Sequence, residues 1–190
     1  MKIHITFFIL LVMLLNMGSC SGRAEESAVG AENKVLLTLI NKRLQVAPLV
    51  AKSKWNSKAP IDDPVREKVI LDSVKVKAEK MDLNAQLATD FFQAQFEAGK
   101  MEQRRLHQEW QAQNQGLFDP APDLATEVRP VLDSLTPQLL KELKKLNVSS
   151  GYCRSIETLR KDARKIIDPG FSNEIVNVAI GPIEQFCHKH

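Results

Sequence analysis

The sequence predicts an all-α protein, one helical bundle of about six helices in a single domain. Three observations predict it. Apolar residues recur at steps of three and four along most of the chain, helix start and stop signals bracket those stretches, and strand alternation, internal repeats and low-complexity tracts are absent. At 190 residues and 21.4 kDa the chain is long enough for one ordinary domain with a real core.

The chain opens with a short basic start at Lys2, an apolar run from Ile5 to Met17, and then small residues. This reads as a secretory signal peptide over residues 1–20, its apolar part too short for a stable membrane span, with cleavage expected between about residues 19 and 24. Met17, Gly18, Ser19 and Cys20 also approximate a bacterial lipoprotein box, the alternative being a chain anchored by lipid on Cys20. The expected location is therefore periplasmic or secreted, with no membrane span after signal removal.

Residues 21–30 are small and polar and are expected as a flexible lead to a domain over 31–190. A first helix should run from about Ala31 to Ser57, kinked or broken at Pro48. Asp63 followed by Pro64 is a strong start for a second helix, reaching about Met81. A third is expected from about Ala85 to Asn114, then a loop through Gly116 and the Asp119–Pro122 run. Leu124–Leu146 carries Pro130 and Pro137, so two pieces or one bent rod are expected. Gly151 breaks the chain before two last helices, about Tyr152–Ile167 and Phe171–Phe186.

Three of these helices carry polar groups where a core should be. In the first, Leu36, Ile40, Arg43, Ala47, Val50 and Lys54 follow steps of four and three, so both cations share an apolar face. An unpaired cation taken out of water costs several kcal/mol, so the pair asks for anions from the protein or from a ligand. In the second, Val69, Ile70, Ser73, Val74, Val76 and Met81 lie within about a quarter turn of Arg66, pointing it inward with Glu67 at the edge of the arc. In the third, Gln103 interrupts the seam of Phe92, Phe96, Gly99, Leu106 and Trp110, and Gly99 leaves space beside it.

Each oddity has a plainer reading. Arg43 could bridge to Asp63, Arg66 could neutralise Glu67 or Asp62, Lys54 could reach out to water, and Gly99 could serve close helix packing. Taken together they describe a cationic pocket with one neutral hydrogen-bonding group, suited to a small dicarboxylate. No nucleophile and no His or Cys pair with metal spacing is apparent, so no metal and no cofactor is expected. Without Lys2, and with or without Arg23, the formal charge falls from +3 to about +2 or +1, which does not support nucleic acid as a partner. With Cys20 removed or lipidated, Cys153 and Cys187 remain. In an exported protein they read as one disulfide, contributing roughly 2 to 4 kcal/mol, or else as two unpaired thiols.

The strings LINKRLQVAPLVAKSKW, PIDDPVREKVI and FFQAQFEAGKMEQRRLHQEW, in this order and spacing, resemble the secreted, all-helical chorismate mutases. The resemblance is best from Leu36 to Trp110. It implies conversion of chorismate to prephenate by a cofactor-free pericyclic rearrangement. Arg43 and Arg66 would bind the two carboxylates, Lys54 and Gln103 would face the ether oxygen, Glu67 would hold the ring hydroxyl, and Asp63 would shape the same corner. Arg129 would add a carboxylate contact. Position 99 departs from the family, which usually has a small polar side chain there. The resemblance also implies a homodimer with each pocket inside one chain. A competing expectation is a non-catalytic exported module that binds an anionic small molecule or a partner helix.

Overall fold

The computed structural model describes residues 21–148 and 156–189, with side chains from 33 to 146 and from 158 to 188. Among the described residues there are six α-helices, one π-helical turn and no strand. The signal segment, Cys20, Ser149, Gly151 and Cys153 lie outside them. No helix of the described residues is long and apolar enough to cross a membrane.

α1 runs Ser21–Ser57, ten residues earlier than its expected start. Arg23, Ala24, Glu25, Glu26 and Ala28 are good helix formers, and a single Gly30 costs only about 1 kcal/mol. The helix also passes through Pro48 without a break. Leu36, Leu37, Ile40, Leu44, Ala47 and Ala51 are buried, as the spacing predicts.

α2 spans Pro64–Lys80, and its start is built as the sequence suggests: the Asp63 carboxylate accepts from the Arg66 backbone N–H at 3.1 Å. α3 spans Ala85–Ala112, capped by Asn84, whose side chain accepts from Leu87 N–H at 2.9 Å. The ends of α1, α2 and α3 are followed by left-handed residues, Lys58, Asp82 and Asn114, at φ 58°, 54° and 52°. After α2 and α3 the chain then folds back, with Leu83 N–H donating to Ala78 O and Gln115 N–H to Trp110 O.

The loop after α3 is tied to the end of α1. Trp55 Nε1 donates to Gly116 O, and Asn56 exchanges two bonds with the Phe118 backbone at 2.8 and 2.9 Å. Phe118, Trp110, His107 and Trp55 stack edge to face or tilted around this junction. The chain then makes one π-helical turn, Leu124–Val128, with Val128 N–H reaching back five residues to Asp123 O. It runs directly into α4, Arg129–Val148, which is continuous through Pro137. α5 is Ile156–Ile166 and α6 is Asn173–Lys189.

α3 is the central rod, packed against α6, α1 and α2, while α1 also meets α4 and α5. Phe91, Phe92, Leu139, Leu143, Leu159 and Ile180 fill the space between them. α2 corrects one expectation. The inward arc drawn around Arg66 included Val69 and Val76, yet Val69 is 65% exposed, Val76 and Ser73 are exposed, and Val65 is 76% exposed. The buried strip is instead Val74 and Ala78, flanked by Glu67, Ile70 and Leu71. Because α2 leans chiefly on α3, only a narrow strip of it is covered.

Candidate functional site

Arg43, Lys54, Asp63, Arg66, Glu67, Gln103 and Arg129 all line one cavity of about 570 Å³. Its walls come from the second half of α1, the first turns of α2, the middle of α3, the π-helical turn and the start of α4. Val46, Val50, Phe96, Val128 and Leu132 supply apolar wall between the polar groups.

Arg43 is only 9% exposed, and its Nε has no hydrogen-bond partner. The expected alternative, a bridge to Asp63, does not form among the described residues, and the Asp63 carboxylate instead caps α2. The guanidinium lies instead against Phe92 and Phe96, 5.7 and 5.4 Å from the ring centroids. Each such contact is worth about 0.5 to 2 kcal/mol, less than the several kcal/mol that burying a cation costs. Burial pushes the Arg43 pKa down to about 10, with the Asp133 charge pulling partly the other way.

Lys54 is half-buried, and its Nζ donates to the Ile61 carbonyl at 2.6 Å, so it turns into the loop between α1 and α2 rather than out to water. Burial lowers its pKa from the ordinary lysine value, opposed by Asp63, Glu67 and Asp62 and assisted by Lys100. Neither Arg66 nor Arg129 makes an ion pair among the described residues. The acids expected to neutralise Arg66 are engaged elsewhere. Glu67 pairs with Lys100 at 3.1 Å, and Asp62 pairs with Arg104 at 2.7 Å and with Lys100 at 3.5 Å.

Lys100 therefore gathers Glu97, Glu67 and Asp62 at one edge of the cavity. Burial pulls its pKa down, but the bonds from Glu97 and Glu67 outweigh that and hold it above the ordinary lysine value. The result fastens the middle of α3 to the first turn of α2 and to the loop that holds Lys54.

Gln103 is 7% exposed; its Nε2 donates to Gly99 O at 3.2 Å and its buried Oε1 has no partner. A Cβ built on Gly99 would meet Ala47 Cβ at 3.9 Å and Gln103 Nε2 at 4.0 Å, both ordinary contacts. Close helix packing is thus not what requires the glycine; what it leaves is free space in the cavity wall.

The sequence reasoning passed over Gln95, which is 3% exposed and also lines the cavity. Its Nε2 donates to Ala179 O of α6 at 2.8 Å, and its Oε1 is buried without a partner. The signal was present, since Gln95 stands three residues after Phe92 and four before Gly99, on the same side of α3. No group of three or more His, Cys, Asp or Glu among the described residues could hold a metal ion. The arrangement can clamp a small dianion and place an ammonium and an amide against one of its atoms.

Residues 30–104 match the family described as chorismate mutase type II. The secreted chorismate mutase of Yersinia pestis is 30% identical over 108 residues, 56% of this chain and 58% of that protein, so the match spans less than two thirds of the relative's length. The secreted chorismate mutase of Mycolicibacterium smegmatis is 27% identical over 130 residues, covering 67% of this chain and 71% of the relative. Among solved structures, the chorismate mutase of Burkholderia thailandensis superposes with a TM-score of 0.71 at 29% identity, covering 80% of this chain and 99% of that one.

Proposed function

We propose that this chain, whose residues 30–104 match the chorismate mutase type II family, converts chorismate to prephenate in the cavity described above. The observation that carries the reading is Arg43, a buried guanidinium facing a cavity with no protein carboxylate paired to it. Lys54, Arg66 and Arg129 on the same walls add cationic groups that suit a dicarboxylate.

The reaction is a unimolecular rearrangement in which the ether carbon–oxygen bond breaks, a carbon–carbon bond forms and no proton moves. Two effects accelerate it: holding the flexible substrate in its compact conformer, and fixing charge where charge develops. In this reading Arg43 and Arg66 grip the two carboxylates and Arg129 reinforces one of them. Lys54 meets the ether oxygen as it gains negative charge, and the second N–H of Gln103 Nε2 reaches the same oxygen. Glu67 holds the ring hydroxyl with the carboxylate oxygen that Lys100 leaves free. Asp63 acts through the cap that sets Arg66, and neither metal nor cofactor takes part.

The reading extends to the whole protein. Residues 1–20 are a cleaved export signal, or the chain is anchored through Cys20, and the domain proper begins at about residue 31. The relatives' description as secreted supports export. The disulfide pairs Cys153 with Cys187; Cys187, half-buried on α6 and disulfide-bonded, supports this. The working form is a homodimer, to which exposed Val65 and Val69 of α2 offer an apolar surface. The decisive experiment incubates purified mature protein with chorismate and follows the loss of its absorbance. Turnover far above the spontaneous rate is expected; a rate equal to buffer alone overturns the reading.

A further inference from the structure

Two complementary groups lining the cavity are unpaired. Arg43 Nε is a buried donor without an acceptor, and Gln95 Oε1 is a buried acceptor without a donor. Both residues line the same cavity, and the Arg43 guanidinium lies over Phe92 and Phe96, the residues three before and one after Gln95. Leaving a buried polar atom unpaired costs about 1 to 3 kcal/mol, and more when it is charged, so a donor and an acceptor left unpaired on the walls of one cavity are a cost that pairing them would relieve. Gln95 is not free to turn away, since its Nε2 is bonded to Ala179 O of α6, which fixes the direction of its Oε1.

We propose that Gln95 is a positioning residue for Arg43: when a carboxylate enters the cavity and takes the Nη groups, the guanidinium turns so that Nε–H donates to Gln95 Oε1. The inference rests on the function proposed above. A guanidinium gripping a carboxylate through one edge still needs its remaining N–H satisfied, and an acceptor held from behind fixes the plane of the fork. It also connects the substrate clamp to α6, a helix that supplies no side chain to the cavity wall.

The test is a double-mutant cycle on chorismate turnover with Gln95→Met, Arg43→Lys and the double variant. Methionine keeps the length of glutamine and removes the acceptor, while lysine keeps the positive charge and removes the Nε–H. In the native background Gln95→Met should raise KM about tenfold, the loss expected for one hydrogen bond to a charged group, with kcat changed less than threefold. In the Arg43→Lys background the same substitution should change KM less than threefold. An equal loss in both backgrounds would mean that Gln95 only anchors α6, and overturns the proposal. Absence of turnover in the native protein overturns the function and this inference together, whereas turnover with an unchanged KM in Gln95→Met overturns the inference alone. Should Gln95→Met not fold, the Arg43 Nε–H resonance in the unaltered protein serves. It should exchange slowly with water when prephenate is bound, and continued fast exchange in that complex overturns the proposal.

Discussion

The Lys54 ammonium is tethered to the Ile61 carbonyl oxygen seven residues along the chain, at 2.6 Å. That bond holds the side chain on the cavity wall and leaves two N–H groups for a ligand. A preorganised donor facing developing charge supplies about 3 to 4 kcal/mol. Lys54→Ala should therefore lose at least two decades in kcat with an unchanged circular dichroism spectrum; a loss below threefold would remove Lys54 from the chemistry.

The same lysine sets an alkaline limit. Burial lowers its pKa, so in the free protein it loses its proton below the ordinary lysine range as pH rises. Activity requires the charged form, so kcat/KM should be flat near neutrality and fall on the alkaline side, with a midpoint below 10.5. In Lys54→Arg the part of that fall owed to Lys54 should disappear, leaving only the loss of the Arg43 charge near pH 10.

Gln103 acts without titrating. In Gln103→Glu the group should donate to the ether oxygen only when protonated, and as a carboxylate it should repel it. The expected pH profile is inverted relative to the native protein, with activity rising as pH falls towards the carboxylate range and at least tenfold lower at pH 8 than the native protein.

Arg43 separates stability from function. Its uncompensated burial means that an apolar replacement relieves a folding cost while it removes a ligand contact. Arg43→Met should melt at the same temperature or higher, yet lose at least tenfold in kcat/KM. A lower melting temperature with intact activity would reassign Arg43 to the scaffold.

Gly99 has room for a methyl group, with its nearest contacts at 3.9 and 4.0 Å. Gly99→Ala should stabilise the protein by up to about 1 kcal/mol, seen as a higher denaturation midpoint with an unchanged m value. A larger Gly99→Leu should fill the cavity and abolish turnover without unfolding the chain.

The parts of this architecture governed by neighbours in sequence were legible in the residues. Asp63 before Pro64 specifies its own cap, and the four-and-three stripe of α1 identifies both its buried face and the cations upon it. What depends on distant partners was not. The valines of α2 look like core by spacing, but whether they are covered depends on how many helices lean on α2, and chiefly one does. Gln95 was passed over because a lone amide beside phenylalanines signals nothing until Ala179, 84 residues away, is seen to hold its nitrogen. The salt links that free Arg66 were equally hidden, since Glu67 and Asp62 find Lys100 and Arg104 only once α2 and α3 are side by side.

The wide turn at Leu124–Val128 spends one more residue on its hydrogen-bonded loop than an ordinary turn would, and α4 follows from it without a break. Every later side chain of that rod inherits the offset. Deleting one residue there would rotate Arg129, Asp133 and Thr136 together by about 100° about the axis, carrying all three out of the chamber at once. This short, underwound coil is thus the indexing device that aims the fourth wall.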